Sequence, residues 1–385
     1  MSETAQTRRL PPAAALRGAA IVALAALCGG VLWASRQSAE SLEDRQRRLQ
    51  RTETVLSEVY RVDRIYRSMM GPWSGQKIAL GNPETDRVVW ITGYRAVMVG
   101  ADGESAMPQQ FMCHSNLDVD REAHFAAMGE SPGFGSRLFT LSQGQLEIDF
   151  PPGFGIPVRA GEALDLTTQV LNLNLPSPDP SLEVRHRVSL DYVIDREIGP
   201  GMVPLLPTAA YGLALIEGED GYFGIDEPRA ERHGPGCLVG ETASDHSYED
   251  GLGRTFSGHW QVPPGRQENR TLVTQLMRVP YETTIHYIAV HLHPFAESLT
   301  LRDLTAGKDL FVSRARNFEA GEIGLRQVDA FSSQEGIAVF PDHEYELVSV
   351  YDNTTPETQD SMAVMYLYLK DQVLQGRLEG AGRAG

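Results

Sequence analysis

Cysteine is scarce in this sequence, with 3 residues among 385. Cys28 falls inside an apolar run near the N-terminus, so only Cys113 and Cys237 remain in the rest of the chain. One disulfide between these two stays open, but a framework of bridges of the kind that stabilises small secreted domains is excluded. The fold must therefore be stabilised by its hydrophobic core.

Positive charge and familiar catalytic motifs are also in short supply. The chain has 34 Lys and Arg against 51 Asp and Glu, a formal net charge of −17, and no basic patch. We therefore exclude DNA and RNA as partners and interpret the acidity as a soluble, self-repelling surface. The sequence contains no G-x-S-x-G, H-E-x-x-H, P-loop or dinucleotide-binding fingerprint, so none of these enzyme classes is indicated.

A single apolar run stands out, from Gly18 to Ala34, and Arg8, Arg9 and Arg17 precede it. Its 17 residues are at the short end for a membrane span and slightly long for the core of a signal peptide. We expect a transmembrane anchor over residues 18–34, a cytoplasmic tail over 1–17, and a body in the periplasm or extracellular space. The alternative is a cleaved signal peptide and a secreted protein.

The segment after this run is charged and permits a helix. Within Ser38–Tyr60, Leu42, Leu49 and Leu56 follow each other at a spacing of seven, which is typical of a short coiled coil. We expect a helical stalk over residues 35–64, and a solvated linker helix fits the same pattern.

Sustained helical periodicity is missing after residue 60, and short β patterns take its place. Arg87–Val99 is rich in β-branched and aromatic residues, Leu138–Phe150 alternates apolar with polar residues, and Pro/Gly turns separate such runs. Ile198–Pro207 interrupts the rhythm and indicates a domain boundary. The pattern predicts an all-β protein with two β-sandwich domains and a short tail, over residues 65–200, 201–372 and 373–385.

Two histidines and a methionine carry the clearest chemical signal. His291 and His293 lie two residues apart in a predicted strand, so their imidazoles share one face. Imidazole pairs suit copper, zinc, iron or nickel, so the pair alone does not select a metal. Met362 opens a later apolar strand, and its soft thioether turns the set toward copper, above all Cu(I). The structural alternatives are two surface histidines and a core methionine.

The segments around these residues resemble the copper type II ascorbate-dependent monooxygenases, the family of peptidylglycine α-hydroxylating monooxygenase and dopamine β-monooxygenase. The resemblance covers about residues 65–372 and is densest in the second half. It implies two consecutive jelly-roll domains and one copper ion bound by His291, His293 and Met362. It also implies that this copper activates O2 with electrons from ascorbate or another reductant, and that Tyr366 has a catalytic role. The matching pieces are Val290–His293, Tyr351–Thr354, Asp360–Met362 and Tyr366.

The sequence departs from this family at its second, electron-supplying copper site. That site uses a His-His pair and a third histidine, where this chain has Cys113-His114 and Leu171. Leucine cannot bind copper, whereas a Cys113 thiolate beside His114 could, so we expect a remnant or a rebuilt site. A buried or disulfide-bonded Cys113 is the alternative. Ala289 and Val364 replace side chains that peptide-hydroxylating members use for their substrate, so a glycine-extended peptide is not indicated.

Three functions remain open at this point. The first is an exported, membrane-anchored copper monooxygenase that hydroxylates a C–H bond of an unknown small molecule. The second is a carrier, store or sensor that receives copper from a donor, and the third is a non-metal interaction module on a membrane stalk.

The other histidines are expected at the surface, in turns or on the opposite strand face: His233, His246, His259, His286 and His343.

Overall fold

The computed structural model describes residues 40–179, 181–217, 223, 247–250, 252–319 and 321–382. The predicted anchor over residues 18–34 lies outside this part of the chain, as do Cys237, His233 and His246. Over the described ranges, no helix has the length and apolar character needed to cross a membrane. Strands make up most of these residues, so the prediction of an all-β protein is confirmed.

The strands form two successive groups along the chain. The first group is β1 (Arg51–Leu56), β2 (Tyr60–Arg61), β3 (Trp73–Ile78), β4 (Val88–Gly100), β5 (Met112–Val119), β6 (Arg137–Ser142), β7 (Glu147–Asp149), β8 (Phe154–Arg159), β9 (Leu164–Val170) and β10 (Glu183–Ile194). The second group is β11 (Val203–Tyr211), β12 (Ala214–Glu217), β13 (Ser247–Glu249), β14 (Thr255–Ser257), β15 (Trp260–Val262), β16 (Gly265–Leu272), β17 (Thr283–Leu292), β18 (Ala296–Asp303), β19 (Lys308–Asn317), β20 (Leu325–Val328), β21 (Phe331–Val339), β22 (Tyr345–Asn353), β23 (Gln359–Ser361) and β24 (Ala363–Lys370).

Helices are short by comparison. The Ser41 side chain accepts a hydrogen bond from the N–H of Asp44 and caps the first helix, and Asp120 caps the second through the N–H of Ala123. The helices are α1 (Leu42–Leu49), α2 (Arg121–Met128), α3 (Asp195–Ile198), α4 (Thr274–Met277) and α5 (Gln372–Gly382), with a 3₁₀ turn at Gln109–Phe111.

One ten-stranded sheet runs through both groups of strands. Its order is β1-β10-β4-β8-β11-β24-β17-β21, and β2 and β7 pair beside this path. A four-stranded sheet, β3-β9-β5-β6, accompanies it in the first half, and a five-stranded sheet, β16-β22-β18-β19-β20, accompanies it in the second. Buried apolar side chains from these sheets form one continuous core, as expected of packed β-sheets.

The segment that we predicted as the domain junction contains a strand that belongs to both halves. The β11 strand pairs in parallel with β8 of the first half. Its other edge pairs antiparallel with β24 of the second half. The two halves are therefore joined by main-chain hydrogen bonds as well as by the connecting chain.

The predicted helical stalk over residues 35–64 is wrong for most of its described part. Only Leu42–Leu49 is helical, and Leu42 and Leu49 pack against a buried cluster that includes Trp90 and Met202 instead of a partner helix. The chain then enters β1, which pairs with β10 along its whole length. Because sheet pairing satisfies its backbone hydrogen bonds, the segment joins the domain and does not extend from it.

The predicted C-terminal tail over residues 373–385 also contains regular structure. The α5 helix occupies Gln372–Gly382, and the Asp371 side chain accepts the N–H of Leu374 at its start. Leu378 packs against the Trp90 cluster. The apolar contact explains why these residues fold onto the domain.

Candidate metal centre

The His-x-His pair lies at the end of β17, deep between the two halves. The ring centroids of His291 and His293 are 5.3 Å apart, with the ring planes at 88°. His293 is buried, and Nδ1 of His291 is buried without a hydrogen-bond partner. Burial, assisted by the neighbouring His293 and His114, holds the pKa of His291 well below its usual value, so its imidazole is neutral and able to bind a metal.

Met362 lies beside this pair through its backbone. In the β17–β24 ladder, His291 is opposite Val364 and Leu292 is opposite Ala363, so the next residues in register are His293 and Met362. Directly opposed residues of an antiparallel pair have Cβ atoms about 4.5–5.5 Å apart, so the thioether is within reach of the histidine. Its side chain is partly buried and packs against the hydrophobic core.

Asp360 and His259 complete the cluster, and we did not predict either as part of a site. The Asp360 carboxylate lies 3.4 Å from Nδ1 of His293 and 3.8 Å from Nδ1 of His259. Burial alone would raise the pKa of Asp360, but the two histidines outweigh it and hold the pKa below its usual range. His259 is buried rather than at the surface, which corrects the expectation from the sequence.

The signal that could have revealed His259 is weak. It stands three residues before the turn Val262-Pro263-Pro264-Gly265, and a single histidine beside a turn has no metal-ligand spacing. Its neighbours come from the pairing of β15 with β23, a contact between segments about a hundred residues apart. Such a contact is not encoded in any local periodicity.

A cavity of about 200 Å³ opens onto the imidazole pair. Residues of the second half that line it include His291, His293 and Asp360. Ser68 from the first half points at the same place, with Oγ 3.3 Å from Nε2 of His293. Much of the remaining wall is apolar: Ile65, Met112, Leu171, Leu173, Phe295 and Ile323.

The predicted second site contributes one group, Cys113, to this same cavity. The β5–β9 register shifts between Met112 and His114, which makes Cys113 the extra residue of a β-bulge, a device that redirects side chains. Cys113 is a free thiol, and burial raises its pKa to about 11. His114 is buried behind it, and burial lowers its pKa to about 3. Leu171 is an apolar part of the wall.

Tyr366 lies on the same strand face as Met362 but is further from the histidines. It is opposite Ala289 in the β17–β24 ladder and buried. The described residues that line the cavity do not include it. A catalytic role for Tyr366 stays a prediction.

His286, with ring nitrogens that face Thr284 and Ser333, is a core histidine.

Within the described ranges, no three His, Cys, Asp or Glu side chains converge as a complete metal site. A metal at this place therefore needs the Met362 thioether or a rotation of rings that are already close. The spacing permits this. Two imidazoles bound to one tetrahedral ion at 2.0–2.1 Å have ring centroids about 5 Å apart, close to the separation observed for His291 and His293.

Comparisons with known proteins add no family. No family model matches the chain, and no curated protein matches it. The chain is similar to the major capsid protein P2 of bacteriophage PM2 at 8% identity and a TM-score of 0.30, covering 82% of this chain and 97% of that one. It is also similar to PNGase F of Flavobacterium meningosepticum at 7% identity and a TM-score of 0.33, covering 84% and 97%. Likenesses at this level carry no argument about function.

Proposed function

We propose that this protein binds one copper ion on His291, His293 and Met362 and uses it to oxidise a small molecule in the adjoining cavity. One observation carries the proposal: the rings of His291 and His293 lie 5.3 Å apart opposite a methionine, and Nδ1 of His291 is buried without a hydrogen-bond partner. Buried imidazoles normally have hydrogen-bond partners, so lone pairs left free suggest a ligand. The softness of the thioether favours copper over zinc or iron.

The roles of the individual side chains follow from their contacts. His291 and His293 would bind the metal in their neutral form, and Met362 would be the weak, soft ligand. Asp360, beside Nδ1 of His293, would fix the orientation of that ring. When bound, copper supplies one-electron redox chemistry and the activation of O2.

The apolar cavity supports an oxygenase over a site that only exchanges electrons. Its wall combines about six apolar side chains with polar ones such as Arg67, Gln143 and Glu357, and suits a small molecule with an apolar body and a polar group. In hydroxylation, one oxygen atom of O2 enters a C–H bond and the other leaves as water. Each turnover therefore consumes two electrons and two protons, which an external reductant such as ascorbate would supply.

The apolar run over residues 18–34 supports a membrane-anchored body in the periplasm or outside the cell, or secretion if it is cleaved.

A copper carrier, store or sensor is the second candidate, and Leu171 is the observation that favours it. Leu171 occupies the cavity wall where the related enzymes have a histidine of their electron-supplying site. Without that site, electrons would have to reach the single copper directly from solution. A protein that only holds copper has no such requirement.

Copper stoichiometry and ascorbate-driven O2 uptake distinguish these functions. The purified protein is compared with His291→Ala and with His343→Ala, a control in which a histidine paired with Asp303 is removed. One copper and uptake that depends on an added small substrate support the oxygenase, whereas one copper without uptake supports the carrier. If the wild type binds no copper, or if His291→Ala binds as much copper as the wild type, both the oxygenase and the carrier are refuted. The non-metal interaction module is then the function that remains.

A further inference from the structure

A third imidazole stands next to the predicted copper ligands. The ring centroids of His259 and His293 are 5.7 Å apart, with the planes at 67°. His259 is buried, and its Nδ1 has no hydrogen-bond partner. A buried imidazole that is left unpaired loses the hydrogen bonds it would make to water. The acidic group beside this nitrogen is the Asp360 carboxylate, 3.8 Å away.

The strand registers place His259 and His293 on either side of the same methionine. In the β15–β23 pair, Trp260 is opposite Ser361, so the next pair in register is His259 and Met362. The β17–β24 ladder brings His293 to Met362 from the other side. Three strand ends therefore bring two imidazoles next to one methionine, and rotation of these side chains would be needed for them to meet at one metal, since the described His, Cys, Asp and Glu side chains do not form a complete site as they stand.

Asp360 faces Nδ1 of both imidazoles. Its carboxylate is 3.4 Å from that atom of His293 and 3.8 Å from that atom of His259, while its Oδ1 has no partner. A carboxylate that accepts Nδ1–H of a histidine fixes the tautomer in which Nε2 carries the free lone pair. Nδ1 of His293 also lies 3.3 Å from the main-chain carbonyl of Asp360, so Asp360 holds that ring through its backbone, and its carboxylate stands close enough to both rings to accept Nδ1–H after a small rotation.

We infer that His259 is a third imidazole ligand of the metal centre and that Asp360 is the positioning residue for His259 and His293. The inference rests on the proposed copper site and extends it. An unpartnered imidazole alone would not justify it: His186, also unpartnered, has no carboxylate near it that the structure shows. The ring of His259, by contrast, stands beside His293, next in register to Met362, and shares the Asp360 carboxylate with His293.

A third imidazole changes what the centre can hold. Two imidazoles and a thioether favour Cu(I), whereas three imidazoles also bind Cu(II) well. A centre that retains copper in both oxidation states can be oxidised and reduced repeatedly without releasing the metal. His259 would therefore determine the affinity for Cu(II) more than the affinity for Cu(I).

The test measures binding of Cu(II) and Cu(I) alone to the whole protein and to variants at His259, Asp360, His291 and His343. His259→Ala should weaken Cu(II) binding at least 10-fold and Cu(I) binding less, and the number of nitrogens coupled to Cu(II) in its electron paramagnetic resonance spectrum should fall from three to two. Asp360→Asn should keep three coupled nitrogens and weaken binding about 10- to 100-fold, as expected of a residue that orients ligands. His343→Ala should match the wild type.

Two outcomes separate this inference from the proposed function. If His259→Ala binds Cu(II) with wild-type affinity and an unchanged spectrum while His291→Ala does not bind, the third ligand is refuted and the copper site stands. If the wild type binds neither oxidation state, both fail together. Should His259→Ala not fold, His259→Gln retains a polar side chain of similar length, and a wild-type nitrogen count in that variant overturns the inference equally.

Discussion

The backbones of His293 and Met362 are linked through one hydroxyl group. The Tyr351 hydroxyl accepts the N–H of His293 at 3.3 Å and donates to the carbonyl of Met362 at 2.5 Å. Both residues lie just outside the strand bounds, where the β17–β24 ladder no longer holds them. Tyr351 is fully buried, so this link is protected from competition with water.

Replacing Tyr351 with Phe should therefore loosen the proposed ligands relative to each other. We expect a loss of stability of about 1–3 kcal/mol from the unpaired backbone groups and a roughly 10-fold weaker Cu(I) affinity in a competition assay. The matched control is Tyr345→Phe, on the same strand, because the Tyr345 hydroxyl also makes two backbone hydrogen bonds, both to Phe340. An equal change in copper affinity for the two variants would contradict a specific role for Tyr351.

Met362→Leu should separate the chemistry of the thioether from its volume. Leucine is close to methionine in size, so stability should change by less than about 1.5 kcal/mol. Cu(I) affinity should fall at least 10-fold and Zn²⁺ affinity should change little, because the thioether selects soft metals. Met365→Leu, in the core of the same strand, is the control. Wild-type Cu(I) affinity in Met362→Leu would exclude the thioether as a ligand.

The sequence predicted the strands that present the candidate ligands better than it predicted the site itself. Apolar patterning placed His291 and His293 in one strand and Met362 at the start of another, against the observed strands Thr283–Leu292 and Ala363–Lys370, because strand burial is a local, periodic property. The role of His259 was missed since its contacts depend on the distant pairing of β15 with β23. The spacing of Leu42 and Leu49 indicated a helix correctly, but spacing alone does not identify the surface against which a helix packs.

Acid should destabilise the metal-free protein through its buried histidines. Burial lowers the pKa of His186 to about 3 and that of His114 to about 3. Below about pH 6.5 the unfolded chain binds protons there that the folded chain does not, so the free energy of unfolding falls as pH falls, by up to about 1.4 kcal/mol per pH unit for each histidine.

His186→Leu tests this pH dependence away from the proposed metal. Both ring nitrogens of His186 lack partners, so leucine removes an unpaired polar group as well as a titrating one. We expect the variant to be more stable than the wild type by about 2 kcal/mol at pH 5, with the difference shrinking toward pH 7. The measurement is urea unfolding across pH with a chelator present. Parallel curves for the two proteins would refute the explanation.

Cys113 should react slowly with alkylating reagents despite lining the cavity. Burial raises the pKa of its thiol to about 11, so at pH 8 the reactive thiolate is about 100-fold less abundant than for an ordinary cysteine. Iodoacetamide labelling of a Cys28→Ser/Cys237→Ser protein measures this directly, and the urea-unfolded chain provides the reference rate. Rapid labelling of the folded protein would mean that the thiolate is stabilised there.

The strand shared by the two halves determines how a molecule can enter the cavity. Because β11 pairs with β24 from Leu205 to Tyr211 and with β8 at Val203 and Pro204, the halves cannot swing apart as hinged lobes without breaking one of these pairings. Entry must then come from small local shifts, such as rotation of the Ser68 side chain away from His293. For the same reason heating should give one calorimetric peak, since neither half can melt while its neighbour keeps the common sheet intact.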